Sequence, residues 1–158
     1  MITPTTTTIL SEIEARMGNI HISNGYSVDV KKVKLGQLEP FKGYDLPAIN
    51  VWPSTLNVEM TTYEDSKKTL PIFIEIHDST RDEPFSTVAE RLALNVLYAI
   101  NRSTTAPAVD DDESNCLGGI VDDVVFNGFD YEIGNGQKPF CAALVRFDIV
   151  YFSDKNII

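Results

Sequence analysis

The chain has 158 residues, 43% hydrophobic and 23% charged, with a formal net charge of −10. This is a single-domain length of globular composition, able to bury roughly two-thirds of the unfolded chain's surface, and it argues against wholesale disorder and against a membrane-embedded chain. The acids are unevenly placed: residues 1–70 hold 8 acids against 7 bases, residues 71–158 hold 15 against 6, and Asp110 to Glu132 contains eight acids and no Lys or Arg. Such a surface repels phosphate backbones, so tight or sequence-reading nucleic-acid binding is not expected. A channel through which DNA slides without sticking would use the same property.

The N-terminal MITPTTTT has neither a basic region nor an apolar core, and no apolar run approaches the ~20 residues of a transmembrane helix, so a cytosol-like compartment is expected. A first helix is predicted from Thr6 to Met17, with Ile9, Leu10, Ile13 and Met17 on one face and Gly18 as its stop. After the turn signal Asn24-Gly25, Tyr26 to Leu35 reads as a strand whose apolar phase shifts from Val28 and Val30 to Val33 and Leu35, as a bulge near Lys31-Lys32 would produce. Gly36 to Leu46 reads as a loop and Pro47 to Trp52 as a short strand ended by Pro53. Leu56, Val58 and Met60 alternate with Asn57, Glu59 and Thr61 in a further strand, which the polar YEDSKK segment is expected to turn back into Leu70 to His77. On that strand Ile72, Ile74 and Ile76 share one face, and Phe73, Glu75 and His77 the other.

A second helix is predicted from Pro84 to Asn101, with Thr80 or Asp82 as its cap. Its polar stripe (Thr87, Glu90, Arg91, Asn95) is narrow. The row Val88, Leu92, Val96 and Ile100, with Ala89, Ala93 and Leu97 beside it, is wider than one sheet would cover. A second layer must clasp it, either the first helix or a neighbouring subunit. Ser103 to Gly119 lacks periodicity, and Pro107 with the DDDE run predicts a mobile, solvated loop. Ile120–Tyr131 and Phe140–Phe152 then read as a terminal hairpin turned by GNG at 134–136, with Ala143, Val145, Phe147, Ile149 and Tyr151 alternating against Arg146 and Asp148. In that hairpin, residues whose numbers sum to about 270 would face each other, placing Cys141 near Phe129 and Cys116 near Asp154, too far apart for a disulfide. Free buried thiols are expected.

No nucleophile elbow, zinc-protease motif, phosphate loop or dinucleotide fingerprint is present. Asp110, Asp111, Asp112 and Glu113 lack the alternating ligands and central glycine of a calcium loop and read as a solvated acidic segment. His77 and Asp78, with Asp82 and Glu83 nearby, are the best stretch for a small metal-dependent hydrolase, since histidine and carboxylates bind metals or move protons. A polar strand end followed by the acidic start of a helix gives the same residues without chemistry. The only other histidine is His21, so no His-rich centre forms. Asp122 or Asp123 is expected opposite Arg146 across the terminal hairpin, and Lys31, Lys32 and Lys34 read as a charged edge strand.

A strand feeding an amphipathic helix, with strands on both sides and a helix in front, is an α+β pattern. Taken in order, the N-terminal helix, GYSVDVKKVKLG, LPAINVWPS, LPIFIEIHDST, one long helix and a final strand ending VRFDIVYFS resemble the tail terminators (tail completion or minor tail proteins) of tailed bacteriophages over nearly the whole chain. The resemblance implies a mainly antiparallel sheet packed by two helices, a purely structural virion protein without cofactor, and a ring of six copies. The ring would cap the tail tube protein, stop its polymerisation and meet the head connector or neck, with DNA passing through its lumen. A head-tail connector is the neighbouring alternative. On this reading Val88, Leu92, Val96 and Ile100 form the subunit interface. Tyr63, Glu64, Asp65, Lys67, Lys68 and Asp110 to Glu113 lie in loops that contact tube or neck, and Asp122 and Asp123 line the lumen.

Overall fold

The computed structural model describes residues 4–79, 83–105, 107–133, 140–154 and 156–158. Its elements run α1 (Thr6–Gly18), β1 (Lys32–Leu35), β2 (Ala48–Pro53), β3 (Asn57–Met60), β4 (Asp65–Ser79), α2 (Phe85–Ile100), β5 (Asp123–Ile133) and β6 (Phe140–Asp154). Helix α1 starts on a reciprocal cap: the Thr8 N–H donates to Thr5 Oγ1 at 3.2 Å and the Thr5 N–H donates to Thr8 Oγ1 at 2.9 Å, worth about 1 kcal/mol. It runs through Gly18 instead of stopping before it, and the N–H of Asn19 closes its end.

The sheet order is β1-β2-β4-β6-β5, with β3 added to the first part of β4. Strands β4 and β6 pair antiparallel along their full lengths, from Asp65 opposite Asp154 to Ser79 opposite Phe140. β1 and β2 are parallel, and the remaining pairs are antiparallel. The fold is α+β, with a mostly antiparallel sheet and two helices. Strict alternation decides the faces. Ile49, Val51, Ile72, Ile74, Ile76, Ala143, Val145, Phe147 and Ile149 point to one side and are buried beneath the helices, with Ile9, Ile13 and Met17 from α1 and Val88, Leu92, Val96 and Ile100 from α2. Each such aliphatic side chain contributes roughly 1.5–3 kcal/mol. On the other side, Asn50, Trp52, Phe73, Glu75, His77, Leu144, Arg146, Asp148 and Val150 are half-buried and Phe152 is exposed, and no helix covers them.

Five expectations are corrected. The expected strand from Tyr26 is regular only from Lys32: before it, Tyr26, Val28 and Val30 enter the core from irregular backbone, whose Val30 N–H donates to Ile20 O at 2.9 Å. The phase shift is therefore a change of structure, not a bulge. β4 begins at Asp65, so the DSKK part of the expected turn is strand and only residues 61–64 reverse the chain. The bulge lies instead in β5, between Phe126 and Phe129, where Gly128 takes φ 100°. It contributes to a register in which Cys141 faces Ile133 and not Phe129, and Arg146 pairs with Asp130 at 3.3 Å instead of with Asp122 or Asp123. The GNG turn and the cap candidates Thr80 and Asp82 lie outside the described residues. Both cysteines are free, Cys141 buried and Cys116 half-buried.

Candidate functional surfaces

The acidic segment is anchored chiefly by one buried arginine. Arg16, 1% exposed on α1, donates through Nη1 to Ile100 O at 2.9 Å and to Asp111 Oδ2 at 2.5 Å, and through Nε to Glu12 Oε1 at 2.8 Å. Asp111 also accepts the Leu117 N–H at 3.0 Å. One buried ion pair thus joins α1, the end of α2, the acidic segment and the short 3-10 turn Cys116–Gly119, whose Leu117 is held at φ 48° with its side chain in the core. Asp110 Oδ1 lies 3.1 Å from Arg102 Nε, and Asp112 accepts from the Ser114 N–H and hydroxyl, which lowers its pKa. The expected mobile, solvated loop is therefore tied down at its acidic end. Asp111 is not free to contact a partner, while Glu113 remains exposed.

The row Val88, Leu92, Val96 and Ile100 is 0–1% exposed within the single chain. This corrects its assignment as a subunit interface: the sheet below and α1 beside it already use that face, so it offers no outward surface. Besides Phe85 at its start, the outward apolar groups of α2 are Leu94, 57% exposed, and Tyr98, 56% exposed. They separate two grooves of about 460 and 500 Å³, one lined by Tyr26, Ser27, Arg91 and Asn95, the other by Leu97, Asn101, Arg102 and Asp110. Tyr26 meets the Tyr98 ring edge-on at 6.1 Å, and the Arg102 guanidinium lies 4.9 Å from its centroid. Asn95, part of the expected polar stripe, is buried: it accepts the Ser27 N–H at 3.0 Å and donates to Ser27 Oγ at 2.6 Å, pinning the irregular segment to α2.

At the other end of the sheet, β3 and the turn after it project into solvent, with Val58, Met60 and Tyr63 exposed beside Glu64 and Asp65. Lys67 is half-buried on the uncovered face. Lys68, expected in a contact loop, is corrected to an interior residue: its strand position turns it to the helix side, where Nζ donates to Ser153 Oγ at 2.5 Å and Asp154 O at 3.0 Å. Burial lowers its pKa. Asp122 accepts the Phe152 N–H at 3.0 Å and Asp123 caps the Val124 N–H at 2.8 Å, both at the exposed start of β5.

His77 points to the uncovered sheet face, its Nε2 against Glu75 Oε1 and its ring edge-on to Phe41 at 5.6 Å. Asp78 points to the opposite face and accepts the Ser79 N–H at 2.8 Å. The strand therefore separates His77 from Asp78, and Asp82 lies outside the described residues. Among the described residues, no group of three or more His, Cys, Asp or Glu side chains is placed to hold a metal ion. Residues 36–46 fold back over this same face, fixed by two hydrogen bonds: the Gln37 N–H donates to Asn50 Oδ1 at 2.8 Å and Asn50 Nδ2 donates to Gln37 O at 2.9 Å. Loop and sheet enclose an open cavity of about 810 Å³ between Phe41, Trp52, Phe140, Glu75 and His77. Sequence reasoning missed this cavity, because Gly36 to Leu46 carries no motif and its return over the sheet depends on a parallel connection. Among the described residues no helix is long and apolar enough to cross a membrane. In comparison with known protein families and curated sequences, no family model and no curated relative matches this chain.

Proposed function

We propose that this chain is a structural subunit of the tail-terminator kind, assembling into a ring, six-membered by resemblance, that caps a phage tail tube and presents its other face to the connector or neck. One observation carries the reading: two unpartnered surfaces lie on opposite sides of the subunit, the outer ridge of α2 at Leu94 and Tyr98 and the part of the sheet face that residues 36–46 leave open, around Val150 and Phe152. Opposite, non-identical patches make heterologous contacts, and these close into rings when the rotation fits. The projecting β3 turn with Tyr63 and Glu64, and exposed Glu113, remain as contacts for tube or neck. Asp122 and Asp123 remain as lumen acids that discourage phosphate binding.

The test is light scattering and negative-stain imaging of the purified protein, alone and mixed with tail tube protein. A closed ring that halts tube growth is the expected result. A strict monomer in both conditions overturns the reading, and a ring that binds the neck but not the tube makes the protein a connector.

A further inference from the structure

The cavity beneath residues 36–46 has the chemistry of a site for one basic side chain. Trp52, stacked on Phe73 at 5.8 Å, and the rings of Phe41 and Phe140 supply aromatic walls; Glu75 lies inside and Glu39 on the loop. Half-buried Glu132 is two strands from Glu75 along the same face, and its pKa is raised first by burial and then by Glu75. His77 is the one basic side chain lining the cavity among the described residues. Carboxylates on an aromatic-walled floor attract a planar cation twice, through a charge-assisted hydrogen bond and through the ring faces. At about 810 Å³ the space falls within the size of ordinary ligand sites.

We propose that this cavity receives an arginine side chain carried on an extended segment of a partner protein. Charge complementarity selects the arginine: its guanidinium lies flat against Trp52 and donates to Glu75, displacing His77 from that carboxylate. Leu38 selects the polypeptide. It stands 99% exposed at the rim, where a residue flanking the arginine would cover it and a free amine would leave it in water. The site is complete in one chain and does not depend on ring formation.

Trp52 is the only tryptophan in the sequence, so its fluorescence reports occupancy directly. The probes are a capped peptide with one arginine between two leucines, the same peptide with neutral citrulline, and arginine amide. The arginine peptide is expected to shift Trp52 emission saturably, with the citrulline peptide about tenfold weaker, because citrulline keeps its N–H donors and loses the charge that strengthens their bond to Glu75 and their attraction to the ring faces. Glu75→Gln should bring the arginine peptide down to the citrulline level. Leu38→Ser, at a solvated position that cannot disturb folding, should weaken the peptide and leave arginine amide unchanged. Equal binding of both peptides, or an unchanged Trp52 spectrum throughout, overturns the site. Arginine amide binding as tightly as the peptide overturns the polypeptide occupant.

Discussion

Arg16 ties the acidic segment to both helices through Asp111 and the Ile100 carbonyl. Removing one member of a buried ion pair leaves the other charge uncompensated, so Arg16→Ala or Asp111→Ala should each cost about 3–5 kcal/mol in urea unfolding. Glu113→Ala, two residues along but exposed, should stay within about 0.5 kcal/mol. Equal, small effects would restore a freely solvated loop. Glu132 gives a pH-dependent case. Burial first and the Glu75 charge second raise its pKa above the ordinary 4.5. A carboxyl with a raised folded pKa stabilises fully below the unfolded value, and that contribution is lost as pH rises through the folded pKa. Glu132→Gln should therefore raise Tm relative to wild type at pH 7, the gain vanishing below the ordinary 4.5; an equal gain at both ends would refute the shift. The thiols belong at this scale too. Burial, then Asp78, pushes Cys141 up to about 11, leaving roughly one part in ten thousand as thiolate at neutral pH. Native protein should resist a disulfide reagent at Cys141 until urea exposes it, and rapid modification would contradict its burial.

Among the elements, α2 separates folding from association. Leu92→Ala should cost about 2–5 kcal/mol of subunit stability; Leu94→Ser should leave the monomer within about 0.5 kcal/mol, Tyr98→Ser should cost about 1–2 kcal/mol through its lost contacts with Tyr26 and Arg102, and both should weaken the ring in light scattering. If the outer variants assemble normally, the contact lies elsewhere. The same helix shows what was legible in the sequence. Period 3.6 revealed its length and that its apolar sector exceeds one sheet, but not whether α1 or another subunit filled the excess, because both solutions bury the same residues. Period 2 revealed the inward faces of β4 and β6 correctly, since a strand has only two sides. It did not reveal that β4 extends back to Asp65, because Ser66 and Lys68 are polar residues facing inward and therefore looked like turn. The Arg16–Asp111 pair had no local signal: its partners are far apart in sequence and meet only through the fold. The cavity failed for a similar reason, since half of its wall is loop.

For the whole molecule, the charge excess predicts that binding to duplex DNA at physiological salt is weaker than the ~10⁻⁴ to 10⁻⁶ M of ordinary non-specific binders. Titration of labelled duplex at several salt concentrations checks this, and tight, salt-sensitive binding would remove the lumen role of the acids. In the sheet order, β6, which follows both β4 and β5 in sequence, lies between them. During synthesis β4 emerges long before the strand that satisfies its inner edge, and β5 has no neighbour at all until β6 arrives. The nascent chain therefore carries an open edge of up to fifteen residues, a template for wrong pairing until β6 has emerged. Closure of the sheet is gated by β6, and chaperones that shield extended apolar segments should raise the yield of this protein more than they raise its stability.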